Sequence, residues 1–168
     1  LRCMPPELCA DIGGGTGGFN WQILDPMGDP EGLARAAQGA RVILYVTTPT
    51  TQNAKPLDST PDKAPILRKT RSIAKLANQV GAGVAPMALV AHRCQSQRPD
   101  FTLRFINDAH LNKTLAYLTA CTIYAAIFEK SPVGLPIDSI TDIRFFGNDK
   151  TKDRDGKPIT QVFGDRDL

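Results

Sequence analysis

Arg41-Val42-Ile43-Leu44-Tyr45-Val46 is the stretch that decides the fold. Its residues are almost all β-branched, aromatic or long aliphatic, and they lack the polar alternation of a half-exposed strand. Such a continuous apolar run is typical of a strand that is buried on both faces of a parallel sheet. Because parallel strands cannot be joined by a tight turn, the sequence also predicts helical connections.

The chain that follows this strand supplies those connections. Residues Ile66, Ile73, Ala77 and Val80 form one apolar stripe of a helix, which Gly81 and Gly83 end. The order strand-helix-strand-helix-strand-loop-helix predicts an α/β domain with helices on the faces of a parallel sheet. The remaining predicted elements are a strand at Gly83–Ala85, a helix from Pro86 to about Gln95, a strand at Phe101–Ile106 and a helix at Lys113–Glu129.

The length of 168 residues suits one domain, which we place at 1–140 with a polar C-terminal extension at 141–168. The formal net charge of +3 is small, and the cluster at Arg68, Lys69 and Arg71 is interpreted as a solvated helix face. These features argue against nucleic acid as a partner. The chain has no apolar run of about 18 residues, which argues against a membrane span. The oligomeric state stays open.

The four cysteines do not have the spacing of a zinc site. Cys121 lies in an apolar helical run and is interpreted as a core residue. Cys3 and Cys9 are either free or disulfide-bonded in an exported protein, so the compartment is undecided. Leu1–Pro6 lacks the apolar segment of a signal peptide, and the absence of an initiator Met fits a mature form or a fragment.

The segment Asn107-Asp108-Ala109-His110 follows the third predicted strand. Ligands of parallel α/β sheets bind beyond the carboxyl ends of the strands, so this loop is the leading candidate for chemistry. A nearby carboxylate can accept the Nδ1–H of His110 and leave Nε2 available as a general base. The alternative is that His110 only caps or packs against the start of the following helix.

Three segments together resemble the C-terminal part of the SGNH (GDSL-type) serine esterases. They lie in the order that the family has, between Arg41 and Ile140, and the last is the most specific. The segments are Val42–Pro49, Ala85–Ala88 leading to Arg98–Asp100, and Asp108–Asn112 followed by Ala116–Cys121 and Lys130–Leu135.

The resemblance implies a three-layer α/β/α fold with a parallel sheet, flavodoxin-like, and acyl transfer on a carbohydrate ester or another small ester. It implies that His110 is the general base and that no metal or organic cofactor takes part. The family usually has Asp three residues before the His. Asn107 occupies that position here, so either Asp108 or Asn107 would orient the ring. Gly18 and Asn20 would match the oxyanion-binding block.

The nucleophilic serine of that family has no recognisable counterpart. None of the serines lies in a Gly-Asp-Ser context, so the chain is either a fragment of an esterase or a non-catalytic relative that keeps the fold. The serines are Ser59, Ser72, Ser96, Ser131 and Ser139.

Three further motifs have competing interpretations. The run Asp11–Gly18 resembles the phosphate loop of actin/Hsp70-like ATPases, and Asp11–Thr16 is the core of the match. This resemblance would make the chain a nucleotide-phosphate binder. A plain turn-forming loop is the favoured interpretation. Asp149–Gly156 resembles a calcium loop, but it lacks the final Glu and contains interleaved basic residues, which favours a solvated turn. His92 has no metal-spaced partner and is assigned to packing or to the surface.

Overall fold

A computed structural model describes residues 41–47, 58–106, 108 and 110–164. Strand β1 (Ile43–Tyr45) pairs in parallel with β2 (Gly83–Ala85), in a register that places Leu44 opposite Val84. Helix α1 (Ala64–Val80) lies between them in the chain. The predicted strand-helix-strand unit is therefore confirmed, and the chain belongs to the mixed α/β class.

Residues typical of helix ends mark the start and the end of helix α1. Proline occupies its first turn, where a missing N–H costs nothing, and Gly81 follows its last residue with φ 66° and ψ 29°. On the predicted apolar stripe, Ile66, Ile73 and Ala77 are buried, with exposed fractions of 5%, 3% and 1%. These residues attach the helix to the β1–β2 pair.

Two further helices complete the core. Helix α2 (Met87–Gln97) follows β2 directly, and helix α3 (Lys113–Phe128) begins at the N-cap residue Asn112, whose side chain accepts the Leu115 N–H at 3.1 Å. Leu44 packs against a core cluster that contains Ile66 and Ile73 of α1. Tyr45, the next residue, packs against a second cluster that contains Leu115 of α3.

The prediction of a strand at Phe101–Ile106 is wrong. In the described part of the chain, this segment makes one isolated antiparallel bridge, between Arg104 and Leu111, and it does not join β1 or β2. The segment is apolar because Leu103 and Phe105 are buried, with exposed fractions of 4% and 0%. A buried segment that does not pair in a sheet has the same apolar sequence as a buried strand, so the sequence could not distinguish the two.

The predicted polar extension contains regular structure. Strand β3 (Ser139–Thr141) pairs antiparallel with β6 (Thr160–Val162), and β4 (Phe145–Phe146) pairs antiparallel with β5 (Asp149–Asp153). β3 spans the boundary that was placed at residue 140. Phe163 is buried and its ring centroid lies 4.4 Å from that of Tyr117 on α3. The C-terminal strands therefore pack onto the same core as α3.

Candidate functional site

The His loop, which we define as residues 106–111, brings two of the predicted site residues into contact. The Asp108 carboxylate accepts the backbone N–H of His110 at 2.8 Å, and the same Oδ1 atom lies 2.5 Å from His110 Nδ1. The His110 side chain is 71% exposed, whereas that of Asp108 is 15% exposed. The Asp108 carboxylate therefore contacts Nδ1 and not Nε2, on a side chain that is mostly exposed.

Asp108 is held in its ionised form. The backbone N–H of His110 is the main cause that lowers the pKa of its carboxyl group, the His110 ring and the Arg154 charge lower it further, and burial opposes them. Arg154 forms an ion pair with the second oxygen, Oδ2. Each carboxylate oxygen therefore has its own cationic or N–H partner, and the carboxylate cannot rotate without losing one of them.

Residues from the connections between the C-terminal strands contact the His loop. The backbone N–H of Ile106 donates to both carboxylate oxygens of Asp155, at 3.0 and 3.2 Å. The Arg144 guanidinium donates to the Leu111 carbonyl at 2.9 Å and is itself fixed by the Asp142 carboxylate, which accepts its Nε–H at 3.0 Å. Sequence reasoning missed these contacts, because nothing in the spacing of Arg144 or Asp155 links them to residues 106–111.

Asn107, the other predicted orienting residue, lies outside the described residues. The same is true of the predicted oxyanion residues Gly18 and Asn20, of the phosphate-loop motif Asp11–Gly18 and of the Cys3–Cys9 pair. Of the orienting pair, Asp108 is the described residue, and it contacts the ring from two positions before His110.

No described serine forms a hydrogen bond to the His110 ring. Ser96, on α2, lies with its Oγ 3.5 Å from Nδ1 of His92, the other histidine, and donates to the His92 carbonyl at 2.7 Å. Nε2 of His92 lies 2.9 Å from the Pro61 carbonyl, so this ring is held by packing and a backbone contact. Among the described residues, no group of His, Cys, Asp or Glu side chains could hold a metal ion.

A polar cleft of about 300 Å³ adjoins the His loop, although His110 does not line it. Its walls come from the segment after α2, the start of α3 and the β5–β6 connection. At its base the ammonium of Lys113 pairs with the carboxylate of Asp153, and their side chains are only 5% and 3% exposed. The interpretation of Asp149–Gly156 as a solvated turn is wrong for Asp153, which is buried to neutralise Lys113.

Comparisons with known protein families, with curated proteins and with solved structures found no match to this chain. In the part of the chain that the structure describes, no helix is both long and apolar enough to cross a bilayer.

Proposed function

We propose that this chain is an ester hydrolase of the SGNH type, with His110 as its general base and Asp108 as the residue that orients it. The observation that carries the proposal is the 2.5 Å contact between Asp108 Oδ1 and His110 Nδ1, made by a ring that stays 71% exposed. A histidine that only capped or packed would not combine a carboxylate on one nitrogen with solvent on the other.

The three-layer α/β/α arrangement is part of the same proposal. Consecutive strand residues point to opposite faces of a sheet. Leu44 packs with the α1 cluster and Tyr45 packs with the α3 cluster, which supports helices on both faces of the β1–β2 pair.

The proposed chemistry is acyl transfer. Asp108 accepts the Nδ1–H of His110, which fixes the tautomer in which Nε2 carries the lone pair. Nε2 then accepts the proton of the attacking O–H group as that oxygen bonds to the ester carbonyl carbon. The carboxylate stabilises the imidazolium that results. When the tetrahedral intermediate collapses, the ester C–O bond breaks and the imidazolium returns the proton to the oxygen of the leaving alcohol, which restores the neutral ring. The attacking group is either a water molecule or a hydroxyl from outside the described residues, and Gly18 and Asn20 would stabilise the oxyanion.

The test is hydrolysis of p-nitrophenyl acetate by the wild-type chain and by two variants, His110→Ala and Asp108→Asn. Asp108→Asn keeps the shape of the side chain but loses the charge that stabilises imidazolium, so kcat should fall by up to about 10⁴. His92→Ala is the matched control, because it removes the other histidine and should leave the rate unchanged. Equal rates for the wild-type and His110→Ala chains would reject His110 as the base.

A second candidate is a non-catalytic relative that keeps the fold for binding. Two observations favour it: no described hydroxyl contacts His110, and Arg154 takes part of the Asp108 charge that would stabilise imidazolium. On this alternative, the wild-type rate would equal that of both the His110→Ala and the His92→Ala variants. The same assay therefore decides between the two candidates.

A further inference from the structure

We infer that the outer face of helix α3 is the interface of a weak antiparallel dimer of this chain. The face consists of Ala116, Ala120, Ile123 and Ile127, which we call the α3 stripe. At about 100° per residue, these four positions lie within about 60° of one another around the helix axis. The inference goes beyond the proposed ester chemistry and does not depend on it.

The first support is an apolar helix surface that is exposed. No charged residue lies between Lys113 and Glu129 in the sequence. A helix that is apolar on all sides is normally buried on all sides. Ala120 is nevertheless exposed, and Ile123 and Ile127 are 37% and 44% exposed. Contiguous exposed apolar surface of this kind marks an interaction site.

The second support is that charges bound the α3 stripe without interrupting it. At the C-terminal end, Arg41 pairs with Glu129 and donates to the carbonyl of Ile127 at 3.1 Å. At the N-terminal end, the ammonium of Lys113 pairs with the buried carboxylate of Asp153. Both pairs are formed within one chain, so covering the stripe would leave neither of them without its partner.

The third support is the spacing of the stripe, which fits a second copy of the same helix running in the opposite direction. A two-fold axis midway between Ala120 and Ile123 places Ala120 opposite Ile123 of the second copy. The same axis places Ala116 opposite Ile127 of the second copy. Each level of the contact then joins a small side chain to a large one, which is the combination that interdigitates.

A parallel pair of α3 helices fits less well. It would place alanine on alanine and isoleucine on isoleucine, which leaves gaps at some levels and crowding at the others. The antiparallel pair also brings the positive end of each helix dipole beside the negative end of the other. The stripe therefore selects both the occupant, a second copy, and its direction.

The size of the stripe determines the expected strength of the dimer. The uncharged part of α3 is about 22 Å long and, as a helix, about 10–12 Å wide, so its footprint is roughly 250 Å² on each copy. A stable complex buries about 800 Å² on each partner. The contact therefore belongs with the weak interfaces, and we expect a Kd on the order of 100 μM.

Sedimentation equilibrium of the full chain, from about 10 μM to 1 mM, measures this association. The weight-average mass should rise from 18.2 kDa towards twice that value as the concentration increases. Ile123→Ala removes apolar area without adding a charge and should raise Kd on the order of tenfold, because each dimer contains the position twice. A chain that stays monomeric up to about 1 mM would overturn the inference and leave the stripe to another occupant.

Charged substitutions test the register of the pair. Ala120→Lys and Ile123→Glu should each raise Kd by at least about tenfold, because each places two unpaired charges in the contact. In an equimolar mixture of the two variants, the introduced lysine of one chain faces the introduced glutamate of the other. The mixture should therefore recover a Kd within about threefold of the wild-type value.

The matched control is Ile143→Glu, at a residue that is 84% exposed and lies outside α3. It makes the same chemical change as Ile123→Glu and should leave Kd unchanged. Far-UV circular dichroism should give the wild-type spectrum for every variant, since the substituted positions are exposed. An equal loss of association in the control, or no recovery in the mixture, would overturn the antiparallel α3 interface.

Discussion

Replacing Asp153 by Asn tests whether the C-terminal strands are held to the rest of the chain by a buried ion pair. Lys113 is the first residue of α3, and Asp153 is the last residue of β5, so their contact joins segments 40 residues apart. The two side chains are only 5% and 3% exposed. The pair is therefore desolvated and little screened by salt.

The magnitude follows from what the substitution keeps and what it removes. Asparagine retains an oxygen at the position that accepts the N–H groups of Asp155 and Lys157, so the turn keeps its hydrogen bonds. The negative charge is lost, which leaves the Lys113 ammonium buried without compensation. Breaking one side of a buried pair costs about 3 to 5 kcal/mol of unfolding free energy. For a chain of this length, that corresponds to a decrease in Tm of about 10 °C.

Urea unfolding followed by far-UV circular dichroism measures this free energy directly. The matched control is Asp149→Asn on the same strand, where the side chain is 41% exposed and the expected change is about 0.5 kcal/mol or less. A double variant, Lys113→Met with Asp153→Leu, should recover only part of the loss, because two backbone N–H groups would lose their acceptor. If Asp153→Asn came within about 1 kcal/mol of the control, the buried pair would not be a determinant of stability.

Three further substitutions probe other contacts. Asp142→Asn should lower the unfolding free energy by about 1 to 2 kcal/mol at pH 7. Burial raises the pKa of the Asp142 carboxyl, but its hydrogen bonds to Arg144 outweigh burial, so the net pKa is lowered. A lowered pKa stabilises the fold above the unfolded value of about 3.9, so the difference between urea curves of wild type and variant should shrink as pH falls towards 3. Gly81→Ala should lower the unfolding free energy by about 1 kcal/mol, measured as a lower urea midpoint, because Gly81 has a φ of 66° that alanine adopts unfavourably. Gly83→Ala is the control: Gly83 has no positive φ, so its unfolding free energy should change much less. Asn112→Ala should lower the unfolding free energy by about 2 kcal/mol, measured by thermal unfolding, because it removes both the α3 cap and a donor to the Thr102 carbonyl. Asn112→Ser should restore about half of that free energy, because its hydroxyl oxygen can cap the helix.

The parts of the fold that the sequence predicted are those in which local pattern and burial agree. β1 is an apolar run that is half-buried and is followed by the buried Val46, and α1 is an apolar stripe that ends at a glycine in the left-handed conformation. Both signals arise within a single element. The strand predicted at residues 101–106 does not form. The buried side chains of Leu103 and Phe105 make this segment as apolar as a central strand, and only hydrogen bonding across the chain distinguishes the two.

The candidate site was likewise predictable only where its contacts are local in the sequence. The Asp108–His110 contact spans two residues, so its spacing in the sequence was informative. The partner of Lys113 was not predictable, because a lysine at the first position of a helix is normally solvated and nothing nearby indicates a partner 40 residues later. Arg154 was hidden for the same reason, inside a run of alternating charges that is typical of an exposed turn.

The charged run at residues 153–155 contacts the rest of the chain rather than solvent alone. Asp153 contacts Lys113 at the start of α3, Arg154 pairs with Asp108, and Asp155 accepts the N–H of Ile106, so three consecutive side chains bind three residues, two of which lie in the His loop. Such a turn cannot shift to improve one contact without weakening the others. The segment that composition marks as a polar extension therefore fixes the position of the His loop, and the orientation of His110 depends on the C-terminal strands as much as on its own neighbour Asp108.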